Sequence, residues 1–281
     1  MDLVIQGGAL PTFLLDRCVA ATGARAVQPQ PPQVTRLQGV ERPAGFDREL
    51  APLLANERLD WAFVESGRKL TDFGLIAFDM DSTLITIECI DELADFAGRK
   101  KEVSEVTEAA MRGEIDYRES LSRRLALLAG LDARVLARVF EERLRLSPGA
   151  RELLAAAQTA GLSTAILSGG FTYFTERLRI ELGFDFATSN ELEIAGGKLT
   201  GRVAGDIVDA EAKACHLRRL RDELGIARER VIAIGDGAND LLMMAEAGVS
   251  VAFHAKPATR AQADVAFNFV GLDGLLNLYP L

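Results

Sequence analysis

The sequence predicts an α/β protein: a doubly wound, Rossmann-like core with an inserted helical cap, and a small α+β domain at the N-terminus. Three observations lead there. Apolar runs LIAFDMD from Leu75, TAILSGG from Thr164 and VIAIGDG from Val231 end in acidic or small residues, and helical patterns follow them. Strands buried on both faces of a parallel sheet read this way, and their carboxyl ends open on a ligand crevice. Between the first two runs, over about residues 86–147, only helix periodicity occurs, and before Gly74 short strand and helix signals alternate.

In chain order, LVIQG reads as a strand, PTFLLDRCVAATGA as a helix, FDRELAPLLANE as a second helix and DWAFVES as another strand. QPQPPQ, from Gln28 to Gln33, reads as a loop because prolines lack amide donors. Residues 1–70 are therefore expected to form the small domain and 71–281 the core. Inside the core, ECIDELADFAG, KEVSEVTEAAMRG, DYRESLSRRLALLAG and DARVLARVFEERL are helices separated by Gly-containing breaks. An insertion directly after the first core strand belongs over the carboxyl edge of the sheet. NELEIAGGKLTGRV reads as two short strands turning at Gly196 and Gly197.

A net charge of −9 argues against a nucleic-acid groove or an anionic membrane surface, which need clustered Lys and Arg. Cys18, Cys89 and Cys215 are an odd number without CxxC spacing, so a reducing compartment fits better than a disulfide framework or a zinc site. The N-terminus lacks the basic-then-apolar order of a signal peptide, and no apolar run nears the roughly 20 residues that cross a bilayer. Cytoplasmic residence is the default expectation.

Three strand ends carry chemistry that makes sense together: DMDST at Asp79–Thr83, SGG at Ser168–Gly170 and GDGAND at Gly235–Asp240. Phosphoryl transfer needs a nucleophile, a metal, donors for the non-bridging oxygens and a proton donor for the leaving alkoxide. Asp79 suits the nucleophile, and Asp81, two residues on, suits the acid and then the base. A hard cation such as Mg2+ would take oxygens from Asp79, Asp236 and the carbonyl near Asp81, with Asn239 and Asp240 orienting its surroundings. Ser168 and Gly169 supply neutral donors, and Lys213 a fixed positive charge. Taken singly, each has a bland alternative: a surface DxD turn, an Asn/Asp helix cap or a solvated helical lysine. His216 and His254 lack a second ligand at metal spacing and read as structural or solvated.

The order DMDST, SGG, Lys213, GDGAND resembles the four motifs of the haloacid dehalogenase superfamily. DMDSTLITIECIDELA and AMRGEIDYRESLSRRL are similar to phosphoserine phosphatases in particular, and the likeness runs from about Gly74 to the C-terminus. The resemblance implies hydrolysis of O-phospho-L-serine, the last step of serine biosynthesis, through an aspartyl-phosphate. It also implies substrate contacts: Glu88 for the ammonium, Arg124 for the carboxylate, and Met111 and Tyr117 as cap residues closing over the substrate, with Tyr117 where members often carry Phe. On pattern alone, Glu88 could equally be a helix-start carboxylate and Arg124 one cation of a solvated face.

Two rival readings stay open. The same scaffold could act on another small phosphorylated metabolite such as homoserine phosphate. Alternatively the N-terminal region, which resembles a diverged amino-acid-binding regulatory domain, could make the chain chiefly a ligand sensor or a homodimerisation module. The expected partner is a small-molecule substrate, with no nucleic acid and no membrane.

Overall fold

A computed structural model describes residues 1–30 and 33–281. Pro31 and Pro32, the middle of the expected Pro/Gln loop, lie outside the described residues. Strands β1 (Asp2–Gln6), β2 (Ala26–Gln30), β3 (Val34–Gln38) and β4 (Asp60–Val64) form an antiparallel sheet in the order β2-β3-β1-β4. Helix Thr12–Thr22 packs Leu14 and Cys18 against Leu3, Ile5 and Leu37 of that sheet. It stops at Gly23, whose left-handed φ of 64° costs a glycine little.

Two expectations for this region need correcting. Gln28–Gln30 is strand and not loop: Pro29 lies opposite Thr35 on β2, an edge strand, where a missing amide donor is tolerated. Val34–Gln38, which carried no strand signal above, pairs along both sides. FDRELAPLLANE forms two short helices, Phe46–Glu49 and Ala51–Asn56, with Pro52 in the first turn of the second.

The larger sheet comprises β5 (Leu75–Phe78), β6 (Ser163–Phe171), β7 (Phe186–Ala195), β8 (Lys198–Ala204), β9 (Val231–Gly235), β10 (Val249–Phe253) and β11 (Val265–Phe267). Its order is β11-β10-β9-β5-β6-β7-β8. All neighbours run parallel except β7 and β8, a hairpin turning on Gly196 and Gly197, both at positive φ as a tight two-residue turn requires. Alternation divides the central strands between two layers. Ile76, Phe78, Ile166, Ile232 and Ile234 face one core, while Leu75, Ala77, Ala165, Leu167 and Ala233 face the other. The three strands bearing motifs, β9, β5 and β6, are adjacent, so their carboxyl ends meet.

Between β5 and β6 the chain forms helices Cys89–Phe96, Lys100–Met111, Tyr117–Ala126 and Val135–Arg138, the last running on through Val139–Arg143. They join the core through a narrow neck. Ile85 bridges Leu146, Thr86 N donates to the Arg145 carbonyl at 2.9 Å, and Ser147 N to the Leu84 carbonyl at 2.9 Å. Among the described residues no helix is long and apolar enough to cross a membrane.

Candidate active site

At the carboxyl ends of β9, β5 and β6, beneath the cap, lies a cavity of about 1000 Å3. Asp79, Asp81, Glu88, Tyr117, Arg124, Ser168, Gly169, Asp236 and Asn239 all line it. Lys213 and Asp240 lie buried beside Asp79. The Met111 side chain lies outside the described residues.

Asp79 follows the last residue of β5, and its amide donates to the Ile234 carbonyl of β9 at 2.9 Å, which fixes the backbone before the chain turns away. Its Oδ1 accepts from the Met80 amide at 2.7 Å and from Lys213 Nζ at 2.8 Å. Lys213 enters from helix Ala210–Glu223 and also bonds Asp240 Oδ1 at 2.7 Å. Burial works against the lysine's charge, but Asp240 and Asp79 more than restore it, so its pKa lies above the ordinary lysine value. Burial, then repulsion from Asp240, pushes Asp79 well above the usual carboxylate range despite Lys213. Asp240 is fixed from its other oxygen, which accepts from the amides of Asp236 and Gly237 at 3.2 and 3.0 Å. That packing requires Gly235, because a Cβ there would come within 2.5 Å of the Asp240 Cβ.

Asp81 accepts from the Cys89 amide at 3.3 Å, and burial followed by repulsion from Glu88 raises its pKa to about 8. Its carboxyl thus keeps a proton more readily than a free aspartate does. Between the two aspartates and the cap, Ser82 adopts a left-handed φ of 56°, and its hydroxyl donates to Glu88 Oε1 at 2.7 Å. Burial raises Glu88 in turn, with the Ser82 hydroxyl opposing. Arg124 donates from Nε to the Ser120 carbonyl at 3.4 Å.

On β6, Ser168 Oγ accepts from the Gly170 amide at 2.9 Å, which leaves the hydroxyl proton to donate elsewhere. The Gly169 carbonyl accepts from Asn190 Nδ2 at 2.8 Å and from the Tyr117 hydroxyl at 3.3 Å. Gly169 and Gly170 sit in the irregular end of β6, where its register with β7 shifts, and the following helix starts only at Thr172.

Carboxylate oxygens of Asp79, Asp236 and Asp240 lie within 4.8 Å of one another. Asp236 is pushed up to about 7 by burial, then by Asp240 and Glu88. Three crowded carboxylates, all offering oxygen donors, with Asp79 and Asp236 raised by burial and then by Asp240, fit a hard divalent cation, which would offset their charge. The Asp81 side chain stands apart from this trio, towards Cys89.

Three supporting residues escaped sequence reasoning. Thr83 donates to Asp236 Oδ1 at 3.2 Å, Asn190 holds both the Gly169 carbonyl and the Val208 amide, and Asp209 caps the Lys213 helix while pairing with cap residue Arg118 at 2.6 Å. Thr83 was visible inside DMDST, and Asp209 offered a helix-cap signal three residues before Ala212, though not its pairing with Arg118; Asn190 carries no local pattern, because its partners are distant in sequence.

A parallel sheet of this topology, with an acid pair after its central strand and a lysine clamped between carboxylates, defines a class. The haloacid dehalogenase-like hydrolase family matches residues 76–245, and the chain belongs to it. Among curated relatives, the phosphoserine phosphatase of Polaromonas sp. is 58% identical over 215 residues, spanning 75% of this chain and 91% of its own. That of Vibrio cholerae is 48% identical over 218 residues, 78% and 66% of the two chains. Among solved structures, a probable phosphoserine phosphatase from Vibrio cholerae superposes with a TM-score of 0.83 at 40% identity, covering 99% of this chain and 85% of that one. A substrate-bound phosphoserine phosphatase complex gives 0.69 at 35% identity, covering 76% and 100%.

Proposed function

We propose that this chain is a Mg2+-dependent phosphoserine phosphatase, hydrolysing O-phospho-L-serine to L-serine and phosphate through an aspartyl-phosphate on Asp79. The observation that carries it is one cavity presenting the Asp79 and Asp81 pair together with Glu88 and Arg124. Carboxylate and guanidinium together complement an amino-acid zwitterion. An aromatic or sugar phosphate offers neither partner.

In the first step an Asp79 oxygen attacks phosphorus, the phosphorus–ester oxygen bond breaks, and the alkoxide leaves as serine with the proton of Asp81. In the second, Asp81, now a carboxylate, takes a proton from water, which attacks phosphorus and releases phosphate and Asp79. Lys213 holds Asp79 in line, and Ser168 donates to a non-bridging oxygen. Mg2+, held by Asp79, Asp236 and the Asp81 carbonyl and oriented through Asn239 and Asp240, would neutralise charge on the transferring group. Tyr117 closes the cap side and excludes water, a role that the family resemblance also gives to Met111.

Residues 1–70 are taken as a domain of their own and 71–281 as the catalytic one. The unpaired cysteines support a cytoplasmic setting. A homodimer is compatible with the reading but not required by it, since one chain supplies every catalytic group.

The test is phosphate release from phosphoserine, homoserine phosphate, phosphothreonine and an aromatic phosphate, with Mg2+ or chelator, for wild type and Asp79→Asn. Preference for phosphoserine, lost in the variant and in chelator, is expected. Turnover of the aromatic ester alone would discard the Glu88 and Arg124 roles, and preference for homoserine phosphate would move the substrate.

A further inference from the structure

Asp60 opens β4 at the edge of the N-terminal sheet, is 1% exposed, and spends its carboxylate on the other half of the molecule. The Asn268 amide donates to both its oxygens at 2.9 Å, Asn268 Nδ2 at 3.0 Å, the Phe269 amide at 2.8 Å and the Val270 amide at 3.0 Å. A buried carboxylate ringed by backbone amides is a strong local organiser. The segment it holds follows β11 and passes the order on. Val270 and Phe267 carbonyls accept from His254 Nε2 at 3.1 Å and from the His254 amide at 2.7 Å, and Asn268 Oδ1 accepts from Arg260 at 2.7 Å.

His254 stands at a φ of 47°, a backbone that non-glycine residues keep only where their surroundings impose it. His254 and Arg260 bracket the turn whose Lys256, Ala258 and Thr259 line the catalytic cavity. The cavity floor carries Asp79, Asp81, Asp236 and Glu88, so a dianionic phosphate ester needs cations on the walls to approach it. Among the described lining residues these are Arg118, Arg124 and Lys256.

We infer that Asp60 is a positioning residue for substrate capture: through Asn268–Val270, His254 and Arg260 it fixes the cavity wall that carries Lys256. The N-terminal sheet thereby takes part in binding the phosphate ester through the segment it positions, whatever else it does. Nothing in this role requires a ligand on the N-terminal sheet itself.

The inference rests on the proposed phosphatase activity, so turnover is paired with a readout that does not depend on it. Steady-state kinetics with phosphoserine and amide hydrogen exchange over residues 254–260 are measured for full-length wild type, Asp60→Asn, Arg260→Gln, Lys256→Gln and the Asp60→Asn/Lys256→Gln double variant. Asp60→Asn is expected to speed exchange in that segment and to raise KM about 5- to 20-fold with kcat within about twofold, since only capture is altered. The double variant should be no worse than the poorer single one, because both changes act through the same wall. Arg260→Gln breaks one link only, and a smaller KM rise from it carries the inference even where Asp60→Asn fails to fold. Unchanged exchange and KM in folded Asp60→Asn, multiplied KM effects in the double variant, or an unchanged KM in Arg260→Gln would each overturn it. Absent turnover by wild type would count against the phosphatase reading, leaving exchange alone to judge Asp60.

Discussion

Lys213 Nζ lies 2.8 Å from Asp79 Oδ1, and little water screens the pair, the lysine being 1% and the aspartate 4% exposed. The ammonium is thus a built-in counterion for the proposed nucleophile, opposing the effect of burial. Lys213→Met should lower kcat about 100- to 1,000-fold, the range for deleting one preorganised electrostatic donor. It should also destabilise the fold by about 3–5 kcal/mol, because Asp79 and Asp240 are left buried without their partner. Steady-state kinetics and denaturant unfolding measure the two effects separately.

On the proposed mechanism, Asp81 serves the two chemical steps unequally. An aromatic phosphate expels a stable phenolate and has little need of an acid, whereas water still needs a base. Asp81→Asn should therefore release about one equivalent of phenol per enzyme in a rapid burst and then stall, while phosphoserine, with its poor leaving group, shows no burst. Rapid-mixing absorbance at stoichiometric enzyme reads this directly.

The Tyr117 hydroxyl and the Gly169 carbonyl, 3.3 Å apart, join the cap to the glycine-bearing end of β6. Tyr117→Phe should cost about 2- to 10-fold in kcat/KM, the worth of one hydrogen bond. Gly169→Ala should be far worse, because its Cβ would collide with the hydroxyl. Without that oxygen the nearest ring carbon stands 3.4 Å away, an ordinary contact. Combining Gly169→Ala with Tyr117→Phe should accordingly recover much of the activity lost in Gly169→Ala alone.

Asp2 pairs with Arg36 at 3.0 Å where the N-terminal sheet meets the carbonyls of Asn277 and Leu278. Burial pulls this carboxyl up, but the Ser66 hydroxyl, Arg36 and the Gly39 amide outweigh it, so its pKa lies below the ordinary 3.8. A depressed acid contributes stability above its unfolded pKa, and that contribution disappears as pH falls through the folded value. Asp2→Asn should cost about 3 kcal/mol at pH 7. The gap to wild type should narrow below about pH 4, as urea unfolding at several pH values would show.

The core strands were legible because burial on both faces leaves nothing but apolar residues between turn signals, as at Leu75–Phe78 and Val231–Gly235. The cap was legible as unbroken helix periodicity, and Gly196–Gly197 as a turn. β2 was not, because an edge strand makes no demand that Pro29 violates, and β3 was not, because VTRLQ mixes polar and apolar residues around the buried Arg36. Within the site, short motifs display the residues that touch reacting atoms. Asn190 and Asp60 act on backbone groups 18 to 210 residues away, and Asp209, beyond its local helix cap, pairs with Arg118 across the chain; such distant pairings leave no local mark.

The neck at Ile85 and Leu146 makes the cap a closed loop of chain whose two ends are already side by side. The entropy of closing such a loop grows only with the logarithm of its length, so each doubling costs about 0.6 kcal/mol. Chain closure therefore sets little limit on what is threaded between those two positions, beyond the packing the present cap makes on the core, such as Gly130 N on the Leu199 carbonyl at 2.8 Å. A cap of different size, grafted with Leu84–Thr86 and Arg145–Ser147 retained, should leave the Asp79, Lys213 and Asp240 arrangement standing while changing which phosphate esters are admitted. Substrate choice and chemistry are in this sense separately exchangeable parts of one chain.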